Sequence, residues 1–199
     1  MHVLRELLAT SGWVERTREF ASSLRRSARP GGLLLVGTPK EEPWHLAAHL
    51  SDESRFAGVP ELSPTLVRWS PPANAPAHLA VGLDRIEAAA RGETLFVVAP
   101  DAVPEQLLER VADARRIGAT ILSIDEGDDD LAGLAHDRLY VPTRQLDIAT
   151  DVDMSLVSVD FDAVQHLVSV AAGEGDQRRK LRDRLSQLLE RVSGPAPER

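Results

Sequence analysis

Two imidazoles stand one helical turn apart in Trp44-His45-Leu46-Ala47-Ala48-His49, with Glu41 shortly before and Asp52 shortly after. Side chains four residues apart on a helix share a face and lie about 5–6 Å from each other. His45 and His49 could therefore grip zinc or another borderline cation, provided third and fourth donors arrive from elsewhere. The run lacks the central Glu of the helical zinc hydrolases, so a hydrated or partly packed histidine face is the simpler reading, and no cofactor is required. Asp162 and His166 repeat the spacing and could form an acid–base pair, with His166 as a further catalytic candidate. A surface hydrogen bond is the plainer account of them. Asp125-Glu126-Gly127-Asp128-Asp129-Asp130 could hold a hard cation, yet it lacks the alternating order and the later Glu of a calcium loop. It reads as a solvated, mobile turn.

The elements that must position these groups alternate along the chain. Leu33-Leu34-Leu35-Val36 follows the break at Pro30-Gly31-Gly32 and is wholly apolar, as a strand covered on both faces is. Further strand-like runs fall at 66–69, 94–98, 119–124 and 138–141. Helical periods fit 43–50, 77–90 and 104–117 between them, each with Pro near its first turn. Ahead of this core, Leu4, Leu7, Leu8, Phe20 and Leu24 mark one long or two shorter amphipathic helices. Behind it, Val157, Phe161, Val164, Val168 and Ala171 recur with a helical period, against a weaker strand alternation at 157–161. A last stripe of Leu181, Leu185, Leu188, Leu189 and Val192 reads as another helix. The expectation is a single α/β domain over 1–199, with an N-terminal helical segment at 1–29, a core at 33–142 and C-terminal helices at 155–193. Its sheet would be five-stranded, parallel and doubly wound into a three-layer sandwich. Helices at both ends suggest a homo-oligomer, a dimer or tetramer.

In such a sheet the ligand crevice lies at the carboxyl ends of the strands. Three loops reach that edge and supply the candidate ligand-binding residues Gly37, Thr38, Lys40, Ser70, Asn74 and Asp101. A phosphate cradle wants free amides and hydroxyls. Pro39 removes a donor, while Glu41, Glu42 and Asp101 repel an anion, which Lys40 offsets in part. Neither a Walker loop nor a dinucleotide fingerprint occurs, and no Gly-x-Ser-x-Gly elbow exposes a nucleophile.

Composition removes other classes. The 199 residues carry 23 Lys+Arg against 31 Asp+Glu, a net charge of −8 that does not suit binding to nucleic acid. No long apolar run or export signal stands in the sequence, which points to a cytoplasmic location without membrane contact. The absence of Cys excludes disulfides, thiolate nucleophiles and Cys-bound metals. Lys40 and Lys180 are the only lysines and Ala is abundant, as in a GC-rich bacterial genome.

The order of segments resembles the sugar isomerase (SIS) family, in particular its phosphoheptose isomerase branch. A strand and Gly loop lead into His45-Leu46-Ala47-Ala48, followed by Arg55-Phe56 and Gly58-Val59-Pro60-Glu61-Leu62 before the second strand. Leu131-Ala132-Gly133-Leu134-Ala135-His136-Asp137-Arg138-Leu139-Tyr140-Val141-Pro142 is similar to the family's Leu-Ala-x-x-Ala-Asp-x-x-Leu-x-Val-Pro segment, and 163–172 to its closing helix. The resemblance implies the SIS fold and phosphosugar binding through a Gly-Asn-Gly-Gly-Ser loop and a Ser-Thr-Ser-Gly-Asn-Ser loop. Those places here read Val36-Gly37-Thr38-Pro39 and Val98-Ala99-Pro100-Asp101-Ala102-Val103. It also implies a His and a Glu on the first helix and a Gln and a His on the last, around the metal or proton-transfer site. The first two match His45 and His49, and the second two fall on Ala163 and Ala171. Alanines cannot carry a proton between sugar carbons. The resemblance thus implies an SIS-fold protein that binds a sugar-phosphate-like or other carbohydrate derivative, or regulates a partner, without isomerase chemistry. Two alternatives stand beside it. One is a working aldose–ketose isomerase of the sedoheptulose 7-phosphate type, possible with metal assistance through His45 and His49. The other is an oligomeric interaction protein with no small-molecule ligand.

Overall fold

The computed structural model describes residues 13–141 and 161–174. Helix α1 (Trp13–Ser27) leads into strand β1 (Leu33–Val36), α2 (Trp44–Ala57) and β2 (Pro64–Val67). After one helical turn, α3 (Asp84–Glu87), come β3 (Thr94–Ala99), α4 (Glu105–Ile117) and β4 (Thr120–Asp125). The short α5 (Asp129–Leu134), β5 (Asp137–Tyr140) and α6 (Phe161–Glu174) complete the described elements. The five strands pair in parallel in the order β2-β1-β3-β4-β5.

Neighbouring residues of a strand point to opposite faces, so a run apolar at every position must be covered twice. That is what happens to Leu33-Leu34-Leu35-Val36. Leu33 and Leu35 join Phe96, Val98, Leu122 and Ile124 under α1, α2 and α6. Leu34 and Val36 join Leu95, Val97 and Ile121 under α4 and α5. The result is the expected three-layer sandwich. The apolar stripe of α1, with Phe20, Ala21 and Leu24 buried, is spent on this chain's own sheet, where the Phe20 and Phe96 rings meet at 5.5 Å between centroids. Val164 and Val168 of α6 are wholly buried, in keeping with their spacing, and Phe161 packs against the same cluster.

Several expectations need correction. The helix read at 77–90 does not form. A single 3-10 turn at Ala77–Leu79 and the turn of α3 stand there instead, with only Ile86 and Ala89 buried. The backbone has another use in that stretch, because the Arg68 N–H donates to Val81 O at 2.8 Å and Arg68 bridges to Gly82. A tertiary hydrogen bond here overrides local helix propensity. Strand β2 begins two residues before the apolar run suggested, with Pro64 at the first position of an edge strand, where its missing N–H is tolerated. Helix α2 runs past residue 50 to Ala57, where Gly58 closes it. The acidic run after β4 is no mobile solvated turn throughout. Asp125 is fully buried, and Asp128 caps α5 by accepting from the Leu131 N–H. The N-terminal leucines at 4, 7 and 8, residue 157 and the stripe at 181–192 lie outside the described residues. Among the described residues no helix is long and apolar enough to cross a membrane.

Candidate functional site

The carboxyl edge of the sheet gathers part of the predicted site. Val36 hands the chain to Gly37 and Thr38, both buried, and the loop then surfaces at Pro39 and Lys40 before α2 begins. Lys40 reaches across to the loop after β3, where its Nζ lies 3.3 Å from Asp101 Oδ2. Asp101 Oδ1 is buried with no hydrogen-bond partner, as is the hydroxyl of wholly buried Thr38. Asp101 also lines an open cleft of about 400 Å³ formed by residues 100–102 and 126–130, five of them acidic. Ser70 and Asn74 are exposed on the loop after β2 and do not line this cleft.

Donors that would receive an anion at this edge are already occupied by the chain's own carboxylates. The Val103 N–H, just ahead of α4, donates to Asp128 Oδ2 at 2.9 Å, while Asp128 Oδ1 takes the Leu131 N–H at 2.8 Å. On the other side, Glu42 Oε2 accepts from Arg68 Nε at 3.0 Å and Glu42 Oε1 from the Trp69 N–H at 3.2 Å. The Arg68 guanidinium lies 4.5 Å from the centroid of the Trp44 ring, a cation–π contact. Trp69 Nε1 donates to Gly37 O at 2.8 Å, tying the first loop to the end of β2. The fold around Gly37 is tight, since a Cβ there would run into the Glu41 carbonyl and Pro43.

The histidines are arranged differently from the loops. His45 is exposed and His49 half-buried on α2. His49 meets His166 of α6 edge to face, with ring centroids 4.3 Å apart, so two of the three catalytic candidates come together across the helix pair. Asp162 accepts a hydrogen bond from Gln165 Nε2 at 3.0 Å. His45 and His49 would furnish two donors for zinc, and among the described residues no three His, Asp or Glu are grouped as a metal site needs. Ala163 and Ala171 lie on α6 as the alignment of segments implied.

Sequence reasoning treated Glu42 only as a repeller of anions, and read Arg68 and Trp69 as strand. The missed signal was an Arg-Trp pair at the end of an apolar run, opposite a loop carrying Glu42 and Trp44. Likewise, Asp128 followed three residues later by Leu131 marks a helix start inside the acidic run.

No protein-family model matches the chain, and no curated protein matches it. Solved structures do. A protein from Silicibacter pomeroyi assigned as a phosphosugar isomerase superposes with a TM-score of 0.56 at 13% identity, covering 94% of this chain and 51% of its own. This chain thus spans about half the length of that protein. The sugar isomerase domain of an RpiR transcription factor from Sphaerobacter thermophilus gives 0.51 at 16% identity, covering 88% of this chain and 86% of its own. Vibrio vulnificus NanR, in complex with ManNAc-6P, gives 0.51 at 10% identity, covering 97% of this chain and 73% of its own. At these identities the likeness speaks to architecture, and the architecture is plain: this chain has the α/β fold of sugar isomerase domains, with its five parallel strands in the order β2-β1-β3-β4-β5.

Proposed function

We propose that this chain is a noncatalytic sugar-isomerase-fold module that binds a carbohydrate derivative at the carboxyl edge of its sheet, in a sensing or regulatory role. The observation that carries the reading is Asp101. One of its carboxylate oxygens is held by Lys40 and the other is buried without a partner beside an open cleft. A carboxylate oxygen in want of a donor suits a sugar hydroxyl, and the cleft's acidic lining favours hydroxyl or ammonium groups there. Of the structures with this fold, one is the sugar isomerase domain of a transcription factor and another holds ManNAc-6P, which supports a ligand-sensing role. The test is a thermal-shift and calorimetric screen of the full chain against neutral sugars, amino sugars and sugar phosphates. A ligand at a hundred times its Kd stabilises the fold by about 2.7 kcal/mol, well within detection. At least one carbohydrate should bind the wild type and lose affinity in Asp101→Asn. A flat screen, or a ligand indifferent to that substitution, removes the proposal.

The contact between His49 and His166 favours a second reading, a working phosphosugar isomerase of the phosphoheptose type. Turnover of sedoheptulose 7-phosphate with and without added zinc decides it. Activity abolished by His49→Ala and by His166→Ala would establish it, and an inert wild type would end it.

A further inference from the structure

The contacts of Glu42 have the form of a bound ligand supplied by the protein itself. A guanidinium and a backbone N–H converge on one oxyanion, at 3.0 Å from Arg68 Nε and 3.2 Å from Trp69 N. That is the way charge-assisted donors hold a carboxylate or a phosphoryl group. The Trp44 ring backs the guanidinium at 4.5 Å. Side-chain exposure of the ionic partners is only 17% for Arg68 and 16% for Glu42, so the donors are well shielded from water.

Three features distinguish this carboxylate from a fixed structural group. Glu42 rides on an irregular loop rather than on a helix or strand, and the turn beneath it is closed by a long 3.3 Å hydrogen bond from the Glu41 N–H to Thr38 O. The closed loop leaves the Thr38 hydroxyl wholly buried and unsatisfied, an unfavourable arrangement that an opening of the loop would relieve. Finally, the receiving groups directly follow β2 and have anchors of their own besides Glu42, the Arg68 N–H on Val81 O at 2.8 Å and the Trp69 indole N–H on Gly37 O at 2.8 Å.

We propose that Arg68, backed by the Trp44 ring, and the Trp69 N–H form a binding site for a phosphoryl group, and that Glu42 is a built-in competitor which keeps the site shut until such a group displaces it. A tethered carboxylate acts at high effective concentration, so a free monoanion displaces it poorly. A dianionic phosphoryl group brings more charge and more acceptor oxygens to the same donors. This site lies at the end of β2, away from the acidic cleft, and it needs no sugar, so it stands or falls separately from the carbohydrate reading.

The test is calorimetric titration of the full chain with inorganic phosphate at low salt, with acetate as the monoanionic control. Wild type, Glu42→Gln and the double variant Glu42→Gln/Arg68→Met are compared, with circular dichroism to confirm folding. Glu42→Gln should bind phosphate at least about tenfold tighter than wild type, because the tethered competitor has lost its charge. The double variant should lose that gain, and acetate should bind none of the three. Equal phosphate affinity in wild type and folded Glu42→Gln overturns the proposal, as does a gain that persists without Arg68. Should Glu42→Gln fail to fold, hydrogen exchange on the wild type serves instead. Faster exchange at 38–42 on adding phosphate, absent in Arg68→Met, supports the site, and unchanged exchange overturns it.

Discussion

Two carboxylate–arginine pairs sit at the carboxyl edge of the same sheet, one beside β5 and one beside β2. Asp125 is fully buried at the end of β4. It accepts from both Nε and a terminal nitrogen of Arg138, from Ser123 Oγ at 3.0 Å and from the Gly127 N–H at 3.0 Å. That pairing raises the Arg138 pKa, first through the hydrogen bond to Asp125, with burial opposing it and the charge of Asp125 adding to the rise. Glu42 is less enclosed than Asp125, carries fewer bonds and hangs on a loop, although Arg68 is the less exposed of the two arginines. The first pair is part of the scaffold: its acid comes from a strand, and Ser123 and Arg138, which donate to it, stand on strands β4 and β5. The second joins a loop to a strand end, so it can open without unfolding the sheet. Geometry alone would class them together, and the elements that carry them separate them.

Substitutions can break or sharpen that contrast. Arg138→Ala strands a buried carboxylate and should cost about 3–5 kcal/mol in urea unfolding, the largest effect expected here. A loss under 1 kcal/mol would mean Asp125 finds water or another partner and is no scaffold element. Arg68→Ala removes a charge-assisted bond and a cation–π contact from a largely shielded site, and should cost about 1–3 kcal/mol. If the two losses proved equal, the distinction between scaffold and loop would fail.

The amino edge offers a third term for the comparison. Glu93 is pushed up by burial, but hydrogen bonds from Arg85 and the Ala90 N–H, with the charges of Arg85 and Arg29, leave its carboxyl below the ordinary range. Burial likewise pushes Asp137 up, and Ser23, Arg16 and the Arg138 N–H bring it below its ordinary value. A carboxyl depressed in the folded state contributes stability that is fully present above its unfolded pKa and is lost as pH falls through the folded one. The wild type should therefore lose stability on acidification below the usual carboxylate range. Glu93→Gln and Asp137→Asn should each flatten that acid limb, by thermal melts across a pH series. The smallest effect belongs to Lys40→Ala. Its side chain is 83% exposed, and its pair with Asp101 should be worth under about 0.5 kcal/mol in the same melts.

Much of this architecture was legible in the residues. The uninterrupted apolar run at 33–36 announced a strand covered on both faces, and the run at 94–98 fell short of its strand by a single residue. The stripe of Leu107, Val111 and Ala114 gave α4 almost to its ends. Where the reading failed, the deciding contact was distant in sequence. The helix expected at 77–90 yields to a bond from Arg68, which no local period encodes. Of the loop residues singled out, Lys40 and Asp101 meet across two loops, while Ser70 and Asn74 lie apart from the cleft. The occupants of this edge were not legible. That Glu42 would fill Arg68, 26 positions away, and Asp128 the Val103 amide, 25 away, depends on how three crossovers converge. The encounter of His49 with His166 likewise needed the α2–α6 packing to be known.

The stretch between β2 and β3 carries a practical corollary. Pro72, Ala73 and Asn74 are exposed, and the turns around them close on themselves, Ala75 N–H to Pro72 O at 2.9 Å and Leu79 N–H to Pro76 O at 2.8 Å. Little of the core depends on this segment, so a guest peptide or a reporter grafted near Asn74 should leave the sheet intact. The protein thereby has a natural socket for a label, close enough in sequence to Trp69 to report on the neighbouring edge without occupying it.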